Sequence, residues 1–207
     1  MRIYDFPLSP NCRKVRSVVY ELGLNAEFVP LNLFKGEQRG PDIVALNPNA
    51  KAPILVQGDF VLWESNAIVS YLAHGSALLP ADPRERANVE RWCDWQLAHM
   101  GPAIGKVAFQ RLVKPMTGQG APDARVVEEG MAEYARFGAV LESSLGTKEY
   151  VGGRLSIADF VLASVFSLAE PVGLDTKPYP KVHAWLGRML SRDSMRRTLN
   201  DARAVTG

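Results

Sequence analysis

Apolar positions recur with two different periods along the chain, and the change of pattern falls near residue 75. Before it, short apolar runs alternate with helical spacing. Arg2 to Phe6 reads as a strand. Val15, Val18, Val19 and Leu22 stand at i, i+3, i+4 and i+7, which predicts a helix stopped by Gly23. Glu27 to Leu31 is a second strand, and Ile54 to Gln57 and Phe60 to Trp63 are two more, with Gly58-Asp59 between them as a two-residue hairpin signal. Ser65 then opens a helix carrying Ala67, Ile68, Tyr71 and Leu72. Strand, helix and strand, a connecting segment, then strand, strand and helix predict a small mixed sheet covered by helices.

The joint is His74-Gly75-Ser76-Ala77-Leu78-Leu79-Pro80-Ala81-Asp82-Pro83, where glycine and two prolines disfavour a continuous helix. Beyond it the pattern is helical. An amphipathic helix starts near Arg84, and Pro102 after Gly101 should kink it. Val127, Met131, Tyr134, Gly138 and Leu141 mark another. Ile157 to Leu168 is apolar on every side, as in a helix buried within a bundle. A last helix begins near Pro180 and carries Trp185, Leu186 and Met189. The predicted division is an α/β domain over 1–76, a linker over 77–83 and an all-α domain over 84–207. The order of elements in the first part is that of a thioredoxin-like domain.

Composition narrows the function classes. The chain is 47% hydrophobic and 22% charged, which is globular rather than disordered. Its net charge is +2, and residues 1–80 carry 7 basic and 7 acidic side chains, so nucleic-acid binding through phosphate contacts is not expected. The strongly apolar run from Phe160 to Ala169 is far short of the ~18 residues a membrane span needs. The first residues, Met1-Arg2-Ile3-Tyr4-Asp5, lack the apolar core of a signal peptide. Cys12 and Cys93 make no disulfide framework and suit a reducing cytoplasm.

Candidate chemistry sits at junctions between elements. Pro7-Leu8-Ser9-Pro10-Asn11-Cys12-Arg13-Lys14 joins the first strand to the first helix. A helix N-terminus offers unpaired N–H donors and about half a positive charge, so it favours an anion. Ser9 stands where its hydroxyl can cap that helix or donate to a bound thiolate. In redox thioredoxin folds this loop carries C-x-x-C. Here the spacing reads Ser9-Pro10-Asn11-Cys12, so an internal dithiol is absent and any thiol chemistry needs a thiol from outside. Cys12 is either activated by the helix dipole or a small buried hydrophobe. Pro53 at the mouth of a strand, after Asn47-Pro48-Asn49-Ala50-Lys51-Ala52, marks either an ordinary trans turn or a cis bond aiming the Ala52 N–H and C=O at a ligand backbone. Glu64-Ser65 pairs an acceptor for an ammonium with a capping hydroxyl for a carboxylate, the two partners an α-amino acid end requires. Ser156-Ile157-Ala158-Asp159 is a capping box that serves its own helix. No metal-ligand spacing is found around His99, and no phosphate-cradling glycine motif is present.

In this order and spacing, Ser9-Pro10-Asn11-Cys12-Arg13, Ala52-Pro53, Glu64-Ser65-Asn66-Ala67-Ile68 and Ser156-Ile157-Ala158-Asp159-Phe160 resemble the cytosolic glutathione S-transferases over the whole chain. Asn32-Leu33-Phe34-Lys35-Gly36-Glu37-Gln38-Arg39 with Ala45-Leu46-Asn47-Pro48 looks most like the serine-type phi and theta groups and their bacterial relatives. The resemblance implies a thioredoxin-like domain with a helical C-terminal domain, and glutathione as co-substrate without a metal. It implies a catalytic Ser9, and Glu64 and Ser65 on the γ-glutamyl end of glutathione. Ala52, after which Pro53 opens the strand, pairs with the cysteinyl backbone. Gln38 and Lys51 reach the glycine carboxylate, helped by Arg39. Conjugation to a small hydrophobic electrophile is implied, and a homodimer that sets the first domain of each subunit against the helical domain of the other. Phe6, Leu8, Phe34, Met100, Phe109 and Leu112 are candidate walls for the electrophile. Asn11, two residues after Ser9, resembles bacterial members that act as glutathione-dependent disulfide reductases or peroxidases, which is the rival chemistry; a non-catalytic glutathione-binding protein is the third reading.

Overall fold

The computed structural model describes residues 1–206, and these form two units. The first holds residues 1–79 together with 192–206. Its strands are β1 (Arg2–Asp5), β2 (Glu27–Pro30), β3 (Ile54–Gln57) and β4 (Phe60–Trp63), in the order β2-β1-β3-β4. β1 runs parallel to β2, which requires the crossover helix α1 (Pro10–Glu21) between them. The β1–β3 and β3–β4 pairs are antiparallel, the second closed by the predicted hairpin with Gly58 at φ 64°. Alternation along the strands splits the core into two layers. Tyr4, Ile54, Val56 and Val61 pack with Leu31 and Ile43 on one side. The opposite pleat carries Ile3 and Leu55, both fully buried, and α1 packs with α3 (Ser65–Leu72).

The connecting segment is more ordered than its sequence suggested. It contains a single 3-10 turn at Glu37–Arg39 and a short helix, α2 (Pro41–Leu46), which delivers Ile43 to the core. Pro41 at the first helical position with Asp42 in the first turn is its signature.

The second unit spans residues 80–191 and is all helical. α4 (Pro83–Trp95) is capped by the Asp82 carboxylate, which accepts from the N–H groups of Arg84 and Glu85. At Pro102 the backbone stays helical but leaves regular α geometry. A π-turn over Gln96–Met100 leads directly into α5 (Gly101–Ala108), and this wider turn stands just before Pro102, which has no N–H to give to the helical ladder. A second π-turn at Phe109–Val113 and the short α6 (Lys114–Thr117) follow, then α7 (Ala124–Leu145). α8 (Ile157–Phe166) is buried along its whole length, as its apolar pattern predicts. Asp159 accepts from the N–H groups of Val151 and Ser156 and from Trp185 Nε1 of α9 (Pro180–Ser191), which fastens the start of α8 to the helix behind it.

The chain does not end with α9. A further helix, α10 (Asp193–Thr206), belongs to the first unit and packs on α1, whereas the sequence assigned everything from 84 onward to the helical domain.

Candidate active site

At the carboxyl ends of β1 and β4 the first unit presents two helix N-termini, those of α1 and α3. Ser9 is the N-cap of α1: its backbone is extended and its Oγ accepts from Cys12 N at 3.4 Å, a long bond. Ser9 C=O accepts the first helical bond, from Arg13 N at 2.9 Å. The two alternatives for Ser9 are therefore compatible. Capping uses the oxygen as acceptor, and among the described residues no group accepts the hydroxyl hydrogen, which stays available to an external anion. Cys12 is fully buried, its Sγ accepts from Phe6 N at 3.4 Å, and burial pushes its thiol up to about 12. Between the two alternatives for this residue, the buried hydrophobe describes it.

Ser65 opens α3 but is not its cap. The capping position is Glu64, held at φ 72°, in the left-handed half of backbone space that residues other than glycine rarely enter. This conformation leaves the Glu64 side chain exposed at the head of the helix while its C=O accepts from Ile68 N at 3.0 Å. Ser65 is buried, and its Oγ reaches Asn11 Oδ1 at 3.5 Å, so Asn11 and Ser65 bring the two helix ends together. Lys14 also reaches this junction: its ammonium donates to Ser65 Oγ at 3.4 Å and to Asn66 Oδ1 at 3.1 Å. Lys14 and Asn66 lie within the junction motifs of the sequence but carry no assigned role there.

The Ala52–Pro53 peptide is cis. The loop before it is built around Asn47, which is buried, donates from Nδ2 to Lys51 C=O at 2.8 Å, and accepts at Oδ1 from Asn49 N at 3.0 Å. Asn47 thereby presents Lys51, exposed, beside Ala52, half-buried. Gln38 and Arg39 lie on the 3-10 turn; Arg39 is exposed, and the buried Oε1 of Gln38 has no hydrogen-bond partner among the described residues. Of the six apolar candidates, Phe6, Leu8 and Phe34 belong to the first unit. Phe34 is 47% exposed and stands edge-on to the Phe6 ring at 5.1 Å. Phe109, exposed, and Leu112, half-buried, lie on the second π-turn of the other unit. Met100 is fully buried and offers no surface to a ligand, so its expected place in a pocket wall is corrected. Among the described residues no group of His, Cys, Asp and Glu is placed to hold a metal ion.

A four-stranded thioredoxin-like sheet domain joined to a helical domain is thus combined with a serine at the head of α1 and a Glu-Ser pair at the head of α3. Residues 1–74 match the family model for the glutathione S-transferase N-terminal domain, and residues 101–193 match that for the C-terminal domain. Glutathione S-transferase 3 of Zea mays is 36% identical, covering 96% of this chain and 93% of its own. The crystal structure of glutathione transferase F7 from Populus trichocarpa superimposes with a TM-score of 0.90 at 27% identity, covering 97% of this chain and 98% of its own. That of the Phanerochaete chrysosporium transferase URE2P8, solved with oxidized glutathione, gives 0.88 at 28% identity, with coverages of 99% and 96%. The chain belongs to the glutathione S-transferase family of enzymes, whose co-substrate is glutathione.

Proposed function

We propose that this enzyme binds glutathione along its first unit and, through Ser9, holds the thiol as thiolate for attack on a hydrophobic electrophile. The observation that carries the reading is the Ser9 hydroxyl hydrogen, without an acceptor among the described residues, beside the positive end of α1. A cysteine thiol titrates near 8.5, so at pH 7 only a few per cent is ionised. One hydroxyl donor and a helix N-terminus can lower that by roughly one to two units, each about 1.4 kcal/mol of preference for the thiolate. The thiol proton leaves to water, the sulfur forms a bond to the electrophilic carbon, and the leaving group departs with its electron pair.

The remaining assignments follow from the chemistry of each position. Glu64, an exposed carboxylate, takes the α-ammonium of the γ-glutamyl end, and Ser65 takes its carboxylate. Ala52 pairs with the cysteinyl backbone ahead of Pro53. Lys51 and Gln38 hold the glycine carboxylate, with Arg39 beside Gln38. Asn11 supports the thiolate next to Ser9. Leu8 and Phe34, the latter backed by the buried Phe6 ring, give the first unit an apolar face for the electrophile, and Phe109 and Leu112 are the candidates on the second. The enzyme works as a cytosolic homodimer.

Ser9→Ala tests the central step. It should raise the pKa of bound glutathione, followed by thiolate absorbance against pH, by the hydroxyl's share of that shift, about one unit, while leaving affinity nearly intact. An unchanged titration transfers the role to Asn11 or to backbone N–H groups. Parallel assays with chlorodinitrobenzene and hydroxyethyl disulfide separate conjugation from disulfide reduction; turnover of the disulfide alone overturns the conjugation reading.

A further inference from the structure

Lys14 is a lysine with no exposed surface in the second turn of α1, and its ammonium donates to the first two residues of α3. Burying an ammonium is expensive, and an apolar side chain of the same length would fill the space without that cost. What the ammonium does to Ser65 follows from hydrogen-bond bookkeeping. An ammonium has three donors and no acceptor, so at the 3.4 Å contact the Ser65 oxygen accepts. The serine then has its own hydrogen left to give. In the protein alone that hydrogen points at Asn11 Oδ1, 3.5 Å away, at the limit of hydrogen-bond reach. A bond this long to a neutral amide is readily exchanged for one to a carboxylate, because charge-assisted bonds are shorter and roughly twice as strong.

We infer that Lys14 is a positioning residue for Ser65: it turns the Ser65 hydroxyl outward as a donor and places a buried positive charge behind it, so that the site selects a ligand end bearing a carboxylate. The inference rests on the proposed assignment of Glu64 and Ser65 to the α-amino acid end of glutathione. Burial strengthens the effect, since a charge shielded from solvent is weakly screened by salt. Asn66 complements it. Its Oδ1, 3.1 Å from the ammonium, anchors Lys14 to α3, so the charge stays with that helix end.

The test compares two ligands by calorimetry: glutathione, and γ-aminobutyryl-cysteinyl-glycine, which is glutathione without its α-carboxylate. Wild-type protein should prefer glutathione. Lys14→Met should lose roughly tenfold or more in affinity for glutathione, the scale of a hydrogen bond to a charged group, and should bind the analogue as wild type does. The pKa of bound glutathione should stay put, since Ser9 is untouched. Ser65→Ala should show the same selective loss, and adding it to Lys14→Met should cost little more, because the two act through one contact. Should Lys14→Met fail to fold, Lys14→Gln removes the charge but keeps an N–H donor, and should show a selective loss for glutathione over the analogue that is smaller than that of Ser65→Ala. Equal losses for both ligands, or none, overturn the role of Lys14. If Ser65→Ala does not discriminate the ligands either, the underlying assignment of Glu64 and Ser65 has failed; if it discriminates and the Lys14 variants do not, only the Lys14 inference has.

Discussion

Ser9, Cys12 and Lys14 lie within six residues of each other and behave as three different chemical groups because solvent reaches them differently. Ser9 is half-buried at the helix head, Cys12 and Lys14 are sealed. For Cys12 sealing has a pH consequence. Burial, with a contribution from the nearby Asp5 carboxylate, raises its thiol from an ordinary 9.0 to about 12. The folded chain therefore keeps this proton over a range in which the unfolded chain loses it, and stability falls as pH rises from 9 toward 12. Below pH 9 the contribution is complete. At pH 8 neither Cys12 nor Cys93, both buried, should react with iodoacetamide in the native protein, and both should react in guanidinium chloride, as counted by intact mass. Rapid native alkylation of Cys12 would mean that the head of α1 opens far more often than its hydrogen bonds imply.

Legibility differs from element to element, for physical reasons. β3 and β4 are recovered with their bounds because a two-residue Gly-Asp turn sets the register and both strands are strongly apolar. Ser9, the Ala52–Pro53 junction and Glu64-Ser65 are legible because each lies at a boundary punctuated by proline or a capping residue. Lys14 is not, because a lysine on a helix next to valines reads as a solvated face, and what buries it comes from fifty residues away. α10 escaped for a related reason. Its buried stripe is Ser194, Met195, Thr198 and Ala202, which is too polar to register as a hydrophobic period, and only Arg192 separates it from α9. What holds α10 is charge. Arg16 of α1 donates to Asp5 from Nε at 2.8 Å and to Asp201 from Nη1 at 2.8 Å, while Tyr20 Oη donates to Asp201 at 2.8 Å. Arg192 and Ser194 both bind Glu21 at the other end of α1. Arg16→Met should cost about 3–5 kcal/mol in denaturant unfolding, since it strands the fully buried Asp5 carboxylate. Asp201→Ala should cost nearer 1 kcal/mol, its side chain being 34% exposed, and should show chiefly as faster amide exchange across α10. Equal costs for the two would place the weight of the network on α10 rather than on Asp5.

At the scale of the whole molecule, the proposed homodimer has to account for aromatic surface left over from folding. Phe60, Trp63 and Tyr71 are 42%, 39% and 42% exposed in the single chain. Phe60 and Trp63 both stand on β4, but strand alternation separates them. Residues three apart on β4 point to opposite sides of the sheet, and Val61, on the same side as Trp63, packs with Ile54 and Val56 on the α2 side. Phe60 faces the other way and meets Tyr71 of α3, their ring centroids 5.2 Å apart, with Tyr71 Oη donating to Gln57 Oε1 at 3.1 Å. The Phe60–Tyr71 pair is thus the continuous aromatic surface at this edge of the sheet, and β4 is also the edge strand, whose outer backbone groups have no strand to pair with. Large aromatic side chains held rigid beside an open edge are the residues that dominate association energies. A two-fold interface repeats each residue across the axis, so a carboxylate introduced at Phe60 acts twice and meets its own copy's field. At micromolar concentration the wild-type protein should sediment as one species of about twice 22.8 kDa. Phe60→Asp should convert it to a single species at the chain mass with its helical circular dichroism intact. Trp63→Asp, on the other face of the strand, should leave the association unchanged. A wild-type protein already sedimenting at the chain mass would end the dimer, and dissociation by Trp63→Asp but not by Phe60→Asp would move the interface to the α2 face of the sheet.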